Sequence, residues 1–455
     1  LQHSEAALRA YQAALDAGAS GRARAHAARR RAHCLFRLRR YAEAEAAFAA
    51  LGDDPEARLW RARAQARQNA VEEAVAALEA LGREPHGATS AWARQLAGQL
   101  HDGRGRHEKA RALFASVVDD RAASDEVARE SLWRLGWSAF RAGDREEAAR
   151  RFAALAKRTG DPLERLQARY WGARARGGQE GERALATIAG EYPFSYYGWR
   201  AAQRVAPAEV AAPPLAAGRR ALDDATLLPA RILVAAGLAE EARAELSGLA
   251  GRAAGLDDRL ALGQLHAAAG DWSGAQGLVV TAYAERLARG PAGAPRALFE
   301  LAWPDAYADA LTEALGNGAG VDRALVLAVM REESRYQPDA ISPTGALGLL
   351  QIMPDTGARL ARELGMADFA PARLLEPRTS VRLGSHYLGQ LARRFEGALA
   401  AAIASYNAGP EPVAEWLATG PADEDEWVEA IPYAETRTYV KRVLRSRHVY
   451  RTLGR

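Results

Sequence analysis

A small residue set among charged and polar neighbours returns at long, similar intervals through the first two-thirds of this chain. It is Ala44 in YAEAEAAF, Ala74 in VEEAVAAL, Ala110 in HEKARALF, Ala148 in REEAARRF, Ala184 in GERALATI, Ala242 in AEEARAEL and Ala275 in WSGAQGLV. The separations are 30, 36, 38, 36, 58 and 33 residues. Self-similarity at such a period marks stacked helical hairpins, none of which can bury its apolar face alone. In such a hairpin the alanine lets two helices approach closely, and the Phe or Leu that follows fills the groove between them. Stacked hairpins build a concave surface suited to a long or flexible partner.

The period resembles the tetratricopeptide repeat of about 34 residues, apart from one long gap. Composition agrees with a mainly α protein. Alanine, leucine and arginine dominate the 455 residues, all three are good helix formers, and long β-branched runs are scarce. At 49% hydrophobic and 26% charged the chain is globular, and its length calls for two or more domains. The basic excess is small, 61 against 57, and almost all arginine, with lysine only at positions 109, 157 and 441. It forms no basic stripe with interleaved aromatics, which argues against a nucleic-acid groove. Cys34, flanked by Leu35, Phe36 and Leu38, is the only cysteine and reads as a buried thiol, so no intramolecular disulfide is expected. No apolar run reaches membrane-spanning length. Leu1 leads directly into a helical pattern, which reads as a mature or trimmed form, so a missing signal peptide does not argue for the cytoplasm.

Three breaks organise the chain. The aromatic run EYPFSYYGWRAAQRV (191–205) lies in the long gap of the repeat. Its Tyr192, Phe194, Tyr197 and Trp199 read first as a packing cluster at a helix junction, with sugar stacking on an exposed ring the lesser alternative. A linker with Pro207, Pro213 and Pro214 follows at 206–218, and helical patterning resumes near Ala221. A second punctuated stretch, RGPAGAPRAL (289–298), precedes LAWPDAYADAL. The expected organisation is a helical superhelical domain over 1–205, a linker and second helical part over 206–302, and a last domain over 303–455.

That last domain holds the chemistry-bearing segment REESRYQPDAISPTGALGLLQIMP (331–354). Asp322 is a plausible N-cap, and Leu325, Val326, Leu327, Val329 and Met330 supply an apolar helix face. Pro338 stops the helix from running far past Tyr336. A glutamate in that final turn lies one step from Met330 and Val329, and a carboxyl against apolar side chains keeps its proton more easily, as a general acid must. Periodicity does not choose between Glu332 and Glu333.

Together with AIASYNAGP (402–410) and IPYAETRTYV (431–440), this segment resembles the lysozyme-like catalytic domain of the soluble lytic transglycosylases, enzymes that cut bacterial peptidoglycan. The aromatic run and LAWPDAYADAL also resemble segments of that family. The resemblance implies an α-helical superhelix followed by a lysozyme-like α-rich domain. It implies that the Glu before Ser, here Glu333 before Ser334, is the single catalytic acid/base. It places Ser342, Gln351 and Met353 beside that glutamate or along the saccharide groove. For Met353, core packing is an equal reading. Leu350 stands where many relatives have Met, a volume-conserving change. Gly345 and Gly348 would permit the tight turn.

In SYNAGP, Tyr406 matches the family tyrosine whose hydroxyl contacts the catalytic carboxyl. Asn407, Ala408 and Gly409 read as a tight turn, with Asn407 facing an N-acetyl group or the loop itself. Glu435 is either an ion-pair partner of Arg437 or a ligand for sugar hydroxyls, the family position favouring the second; Tyr439 joins the same substrate-binding set. The resemblance implies the β-1,4 bond between N-acetylmuramic acid and N-acetylglucosamine as target and a 1,6-anhydro product. Peptidoglycan strands would be the partner, and the periplasm or cell envelope the location. No metal-ligand motif occurs, and no metal or other cofactor is expected. A hydrolytic muramidase, with Asp339 or Asp355 as second carboxylate, and a non-catalytic peptidoglycan-binding scaffold are the alternatives.

Overall fold

The computed structural model describes residues 2–211, 213, 215, 220–316, 318 and 320–455. Helices dominate, and among the described residues the only β pairing is a pair of isolated bridges, Ile341 with Leu347 and Leu347 with Ile352. The chain forms two compact units, Leu1–Ala184 and Leu185–Arg455.

The first unit is a run of helical hairpins, among them Gly21–Arg37 with Tyr41–Ala49, Pro55–Arg67 with Val71–Arg83, Ala88–Gly103 with His107–Val118, and Asp125–Arg141 with Arg145–Arg158. The recurring alanines do what the spacing predicts. Ala44, Ala74, Ala110 and Ala148 are all buried, whereas Ala184, at the unit's end, is half-buried. Twelve residues before each of the buried four stands a second small residue, Ala32, Ala62, Gly98 and Gly136, on the facing helix. At two of these the close approach is explicit. A Cβ on Gly98 would lie 2.7 Å from the Phe114 ring, and one on Gly136 2.7 Å from the Phe152 ring. The phenylalanine four residues after the alanine thus fills a groove left by the glycine opposite. Caps such as Asp54 (accepting from Ala57 N, 2.9 Å) and Asp144 (from Glu147 N, 3.0 Å) fix where helices start. Cys34 is a buried free thiol in this unit.

The second unit contains two more hairpins, Asp224–Ala235 with Ala239–Ala250 and Leu256–Ala268 with Trp272–Val280, in which Ala242 and Ala275 are again fully buried. Five later helices frame the candidate site: α1 (Arg323–Glu333), α2 (Pro354–Glu363), α3 (Pro377–Arg394), α4 (Leu399–Ala408) and α5 (Ala434–Thr452). One continuous core runs from Phe194 and Leu222 through Phe299 and Trp303 to Val443 and Tyr450. Of the proline linker, Pro207 and Pro213 lie outside helices, while Pro214 and residues 216–218 fall outside the described residues; helix resumes at Asp224.

The aromatic run packs, as its composition suggests. Tyr192 and Phe194 are buried, and Phe194 meets Phe299 and Trp303 edge-on. The run also clasps α5 at successive turns. Lys441 Nζ donates to Tyr197 Oη (2.9 Å) and Glu429 Oε2 (2.8 Å), and Arg445 Nε donates to the Phe194 carbonyl (2.8 Å). His448 lies against the Pro193 carbonyl and stacks on Trp199. Spacings of four and three residues put these three side chains on one face of the helix.

Candidate active site

Helix α1 starts where the sequence places it, with Asp322 Oδ1 accepting from Leu325 N at 2.8 Å. Its apolar residues do not form a single face. Every residue from Ala324 to Met330 is buried, so α1 runs through the middle of the core. It ends at Glu333, three residues before Tyr336. The stop is not Pro338 itself but the left-handed pair Arg335 (φ 52°) and Tyr336 (φ 67°). Such conformations are costly for non-glycine residues and need support from their surroundings. Tyr336 has it: its ring is buried, its hydroxyl meets Tyr450 Oη at 2.5 Å, and its carbonyl accepts from Tyr307 Oη at 2.9 Å.

The two glutamates separate at this helix end. Glu332 is clamped as an ion pair by Arg331 Nη1 (2.7 Å), accepts from Ser446 Oγ (3.1 Å) and has Arg442 at 3.9 Å. Among the described residues Glu333 has no cation partner; its Oε1 accepts from the Tyr439 hydroxyl at 2.6 Å. Burial pushes the Glu333 carboxyl up to about 7, against the Tyr439 hydrogen bond, which favours the ionised form. The charges of Glu332 and Glu435 add to the rise. Glu333 is therefore a carboxyl able to hold a proton near neutrality and, once ionised, to be stabilised by one donor.

The 340–353 loop is tied from within. Gln351 sits at φ 47°, and its Nε2 donates to the carbonyls of Ala340 (3.0 Å) and Gly348 (2.8 Å). Gly348, at φ 75°, packs so close to the Leu374 carbonyl that a Cβ there would overlap it. Ser342 Oγ accepts from Ala346 N at 2.8 Å and lies 3.1 Å from Thr344 Oγ1. Met353 is 43% exposed, which decides against core packing, whereas Leu350 is fully buried.

Three expectations change in detail. Tyr406 does not hydrogen-bond the glutamate: its hydroxyl donates to the Leu350 carbonyl at 2.7 Å, bracing the loop, and Tyr439 makes the contact expected of it. Tyr406 is still close enough for the Glu333 charge, after burial, to raise its own pKa. Asn407 and Ala408 are the last residues of α4, and only Gly409 (φ 87°) turns; Asn407 Oδ1 accepts from Thr436 Oγ1 at 2.7 Å. Glu435 is exposed and does not pair with Arg437, whose guanidinium donates to the Ile431 carbonyl (2.9 Å). Asp339 and Asp355 are both exposed.

Sequence reading missed the Arg331–Glu332–Ser446 clamp. Its trace was available in the spacing: Tyr439, Arg442 and Ser446 fall three and four residues apart, on the face of α5 toward α1.

A buried helix ends in a glutamate raised to about 7, with a tyrosine of the last helix on its carboxyl and a glycine loop braced by Tyr406, all in a helical domain. Residues 311–428 match the family model described as Transglycosylase SLT domain, and this part of the chain is homologous to soluble lytic murein transglycosylases. Over 152 residues it is 39% identical to the soluble lytic murein transglycosylase of Salmonella typhimurium and 37% identical to that of Escherichia coli K12. Each alignment takes in 33% of this chain and 23% of the relative's length. Solved structures extend the likeness of fold. An inactive Glu-to-Gln mutant of the lytic transglycosylase Slt from Pseudomonas aeruginosa superimposes with a TM-score of 0.68 at 22% identity, covering 94% of this chain and 73% of that one. The 70 kDa soluble lytic transglycosylase of Escherichia coli gives 0.56 at 20% identity, covering 98% and 84%. The fold is a helical superhelix followed by a lysozyme-like domain.

Proposed function

We propose that this chain is a peptidoglycan lytic transglycosylase of the periplasm or cell envelope. Its reaction cleaves the β-1,4 bond between N-acetylmuramic acid and N-acetylglucosamine and leaves a 1,6-anhydro-N-acetylmuramic acid end. The observation that carries the reading is Glu333: a desolvated carboxyl raised to about 7, with, among the described residues, one hydroxyl donor and no cation partner. It protonates the leaving glycosidic oxygen as positive charge grows at the anomeric carbon. Ordinary retaining glycosidases place a second carboxylate about 5 Å away as nucleophile. Here the acidic groups acting on Glu333 are Glu332, committed to Arg331, and the exposed Glu435. Without a protein nucleophile, the substrate's N-acetyl group supports the cationic centre. The ionised Glu333 then takes the proton of the sugar's C6 hydroxyl, which attacks in place of water. That hydroxyl is held by the substrate itself, an effective-concentration advantage over water. Ser342, Met353, Asn407 and Glu435 are the proposed saccharide contacts, with Gln351 and Tyr406 holding the loop and Tyr439 orienting the acid.

The test is lysis of purified cell walls followed by turbidity. Glu333→Gln keeps shape and removes only the proton, so lysis should fall by roughly 10²–10⁴-fold. Lysis at the wild-type rate in that variant would reject the assignment.

A further inference from the structure

Among the described residues four groups face Glu333: Glu332 on its own helix, Glu435 and Tyr439 on α5, and Tyr406 on α4. Only one of the four is both charged and buried. The Glu332 side chain is 7% exposed, and it is fixed from two helices: Arg331 Nη1 at 2.7 Å from α1, Ser446 Oγ at 3.1 Å and Arg442 at 3.9 Å from α5. Arg331 is itself committed, with its Nε donating to the Ala302 carbonyl and its guanidinium over the Trp303 ring. Arg445 of α5 also feels the Glu332 charge.

We propose that Glu332 is a positioning residue, a fixed buried anion that locks α5 to α1 so that Tyr439 reaches Glu333, and whose charge adds to the burial that favours the protonated acid. A solvated glutamate at a helix end would be screened and mobile, and would do neither. Burial and three partners hold this one in a single place beside Glu333. Ser446 lies seven residues, two helical turns, after Tyr439, so the contact that holds Glu332 and the contact that holds Glu333 lie on the same stripe of α5. The neighbouring glutamate is thus part of the acid's machinery without touching substrate. This inference rests on the reading of Glu333 as the acid, but its test does not require turnover.

The test is titration of the Glu333 carboxyl carbon by NMR in glutamate-labelled protein, the resonance assigned by its absence in E333Q. In the wild type its midpoint should lie at about 7. E332Q keeps the shape and an acceptor for Ser446 but removes the charge, and its midpoint should fall. R442Q removes the exposed cation beside Glu332 and should move the midpoint the other way, upward. If E332Q does not fold, R442Q alone carries the test, because Arg442 is 58% exposed. Unchanged midpoints in the folded variants would overturn the inference. The alkaline limb of cell-wall lysis should follow the same two directions. Limbs that stay fixed while midpoints move would instead count against Glu333 as the acid, which separates the two claims.

Discussion

The Tyr439 hydroxyl donates to Glu333 Oε1 at 2.6 Å, joining the last long helix to the end of a buried one 106 residues earlier. This bond opposes the effect of burial, since it favours the ionised carboxylate while desolvation favours the acid. A carboxyl serving first as acid and then as base needs both influences.

Removing the donor should therefore have two effects. Tyr439→Phe should move the alkaline limb of lysis to higher pH, because the ionised form loses its hydrogen bond. It should also lower the maximal rate by roughly tenfold, the scale of one hydrogen bond to a charged group. A pH–rate profile that superimposes on the wild type would contradict the role given to Tyr439.

Stability should carry the mark of Glu333 as well. Its folded-state pKa lies above the ordinary carboxyl value, so the folded form binds its proton more tightly than the unfolded form. That contribution is fully present below about pH 4.5 and is lost as pH rises through about 7. Glu333→Gln does not ionise and should raise the melting temperature at pH 8 but not at pH 4, a gain of roughly 1–3 kcal/mol. Thermal unfolding at the two pH values checks it; equal shifts at both would remove desolvation as the cause.

Gly348 makes a steric prediction. Gly348→Ala combines a left-handed backbone with overlap on the Leu374 carbonyl, and the 340–353 loop that Tyr406 braces must shift. The expected cost is about 1–3 kcal/mol, together with lost lysis. A denaturant midpoint equal to the wild type would show that the loop accommodates it.

A fragment beginning near 303 should be less stable than one beginning at 185. The core is continuous across 302, and Lys441, Arg445 and His448 would lose their partners in 193–199. Melting of the two fragments decides. Equal melting temperatures would make residues 303–455 self-sufficient.

Much of this was legible in the chain. Repeated alanines predicted hairpins because close helix approach needs a small residue wherever it occurs, and the following phenylalanine confirms the geometry at Gly98 and Gly136. The cap at Asp322 and a glutamate at the helix end were legible because both are local. Hydroxyl partners were not. Tyr406 and Tyr439 both lie near Glu333, and which one reaches it depends on how α4 and α5 pack, which motif order does not encode. The same holds for Gln351, whose amide is spent inside its own loop. Nor could periodicity separate Glu332 from Glu333, because two of the partners that hold Glu332, Ser446 and Arg442, are more than a hundred residues away.

The product tests the central claim most directly. Purified peptidoglycan digested in chelator-containing buffer should yield muropeptides ending in 1,6-anhydro-N-acetylmuramic acid. By mass spectrometry each should be one water lighter than its hydrolysed counterpart. Fragments with only free reducing ends would contradict the account, since water would then have replaced the C6 hydroxyl and a second carboxylate, Asp339 or Asp355, would have to be sought.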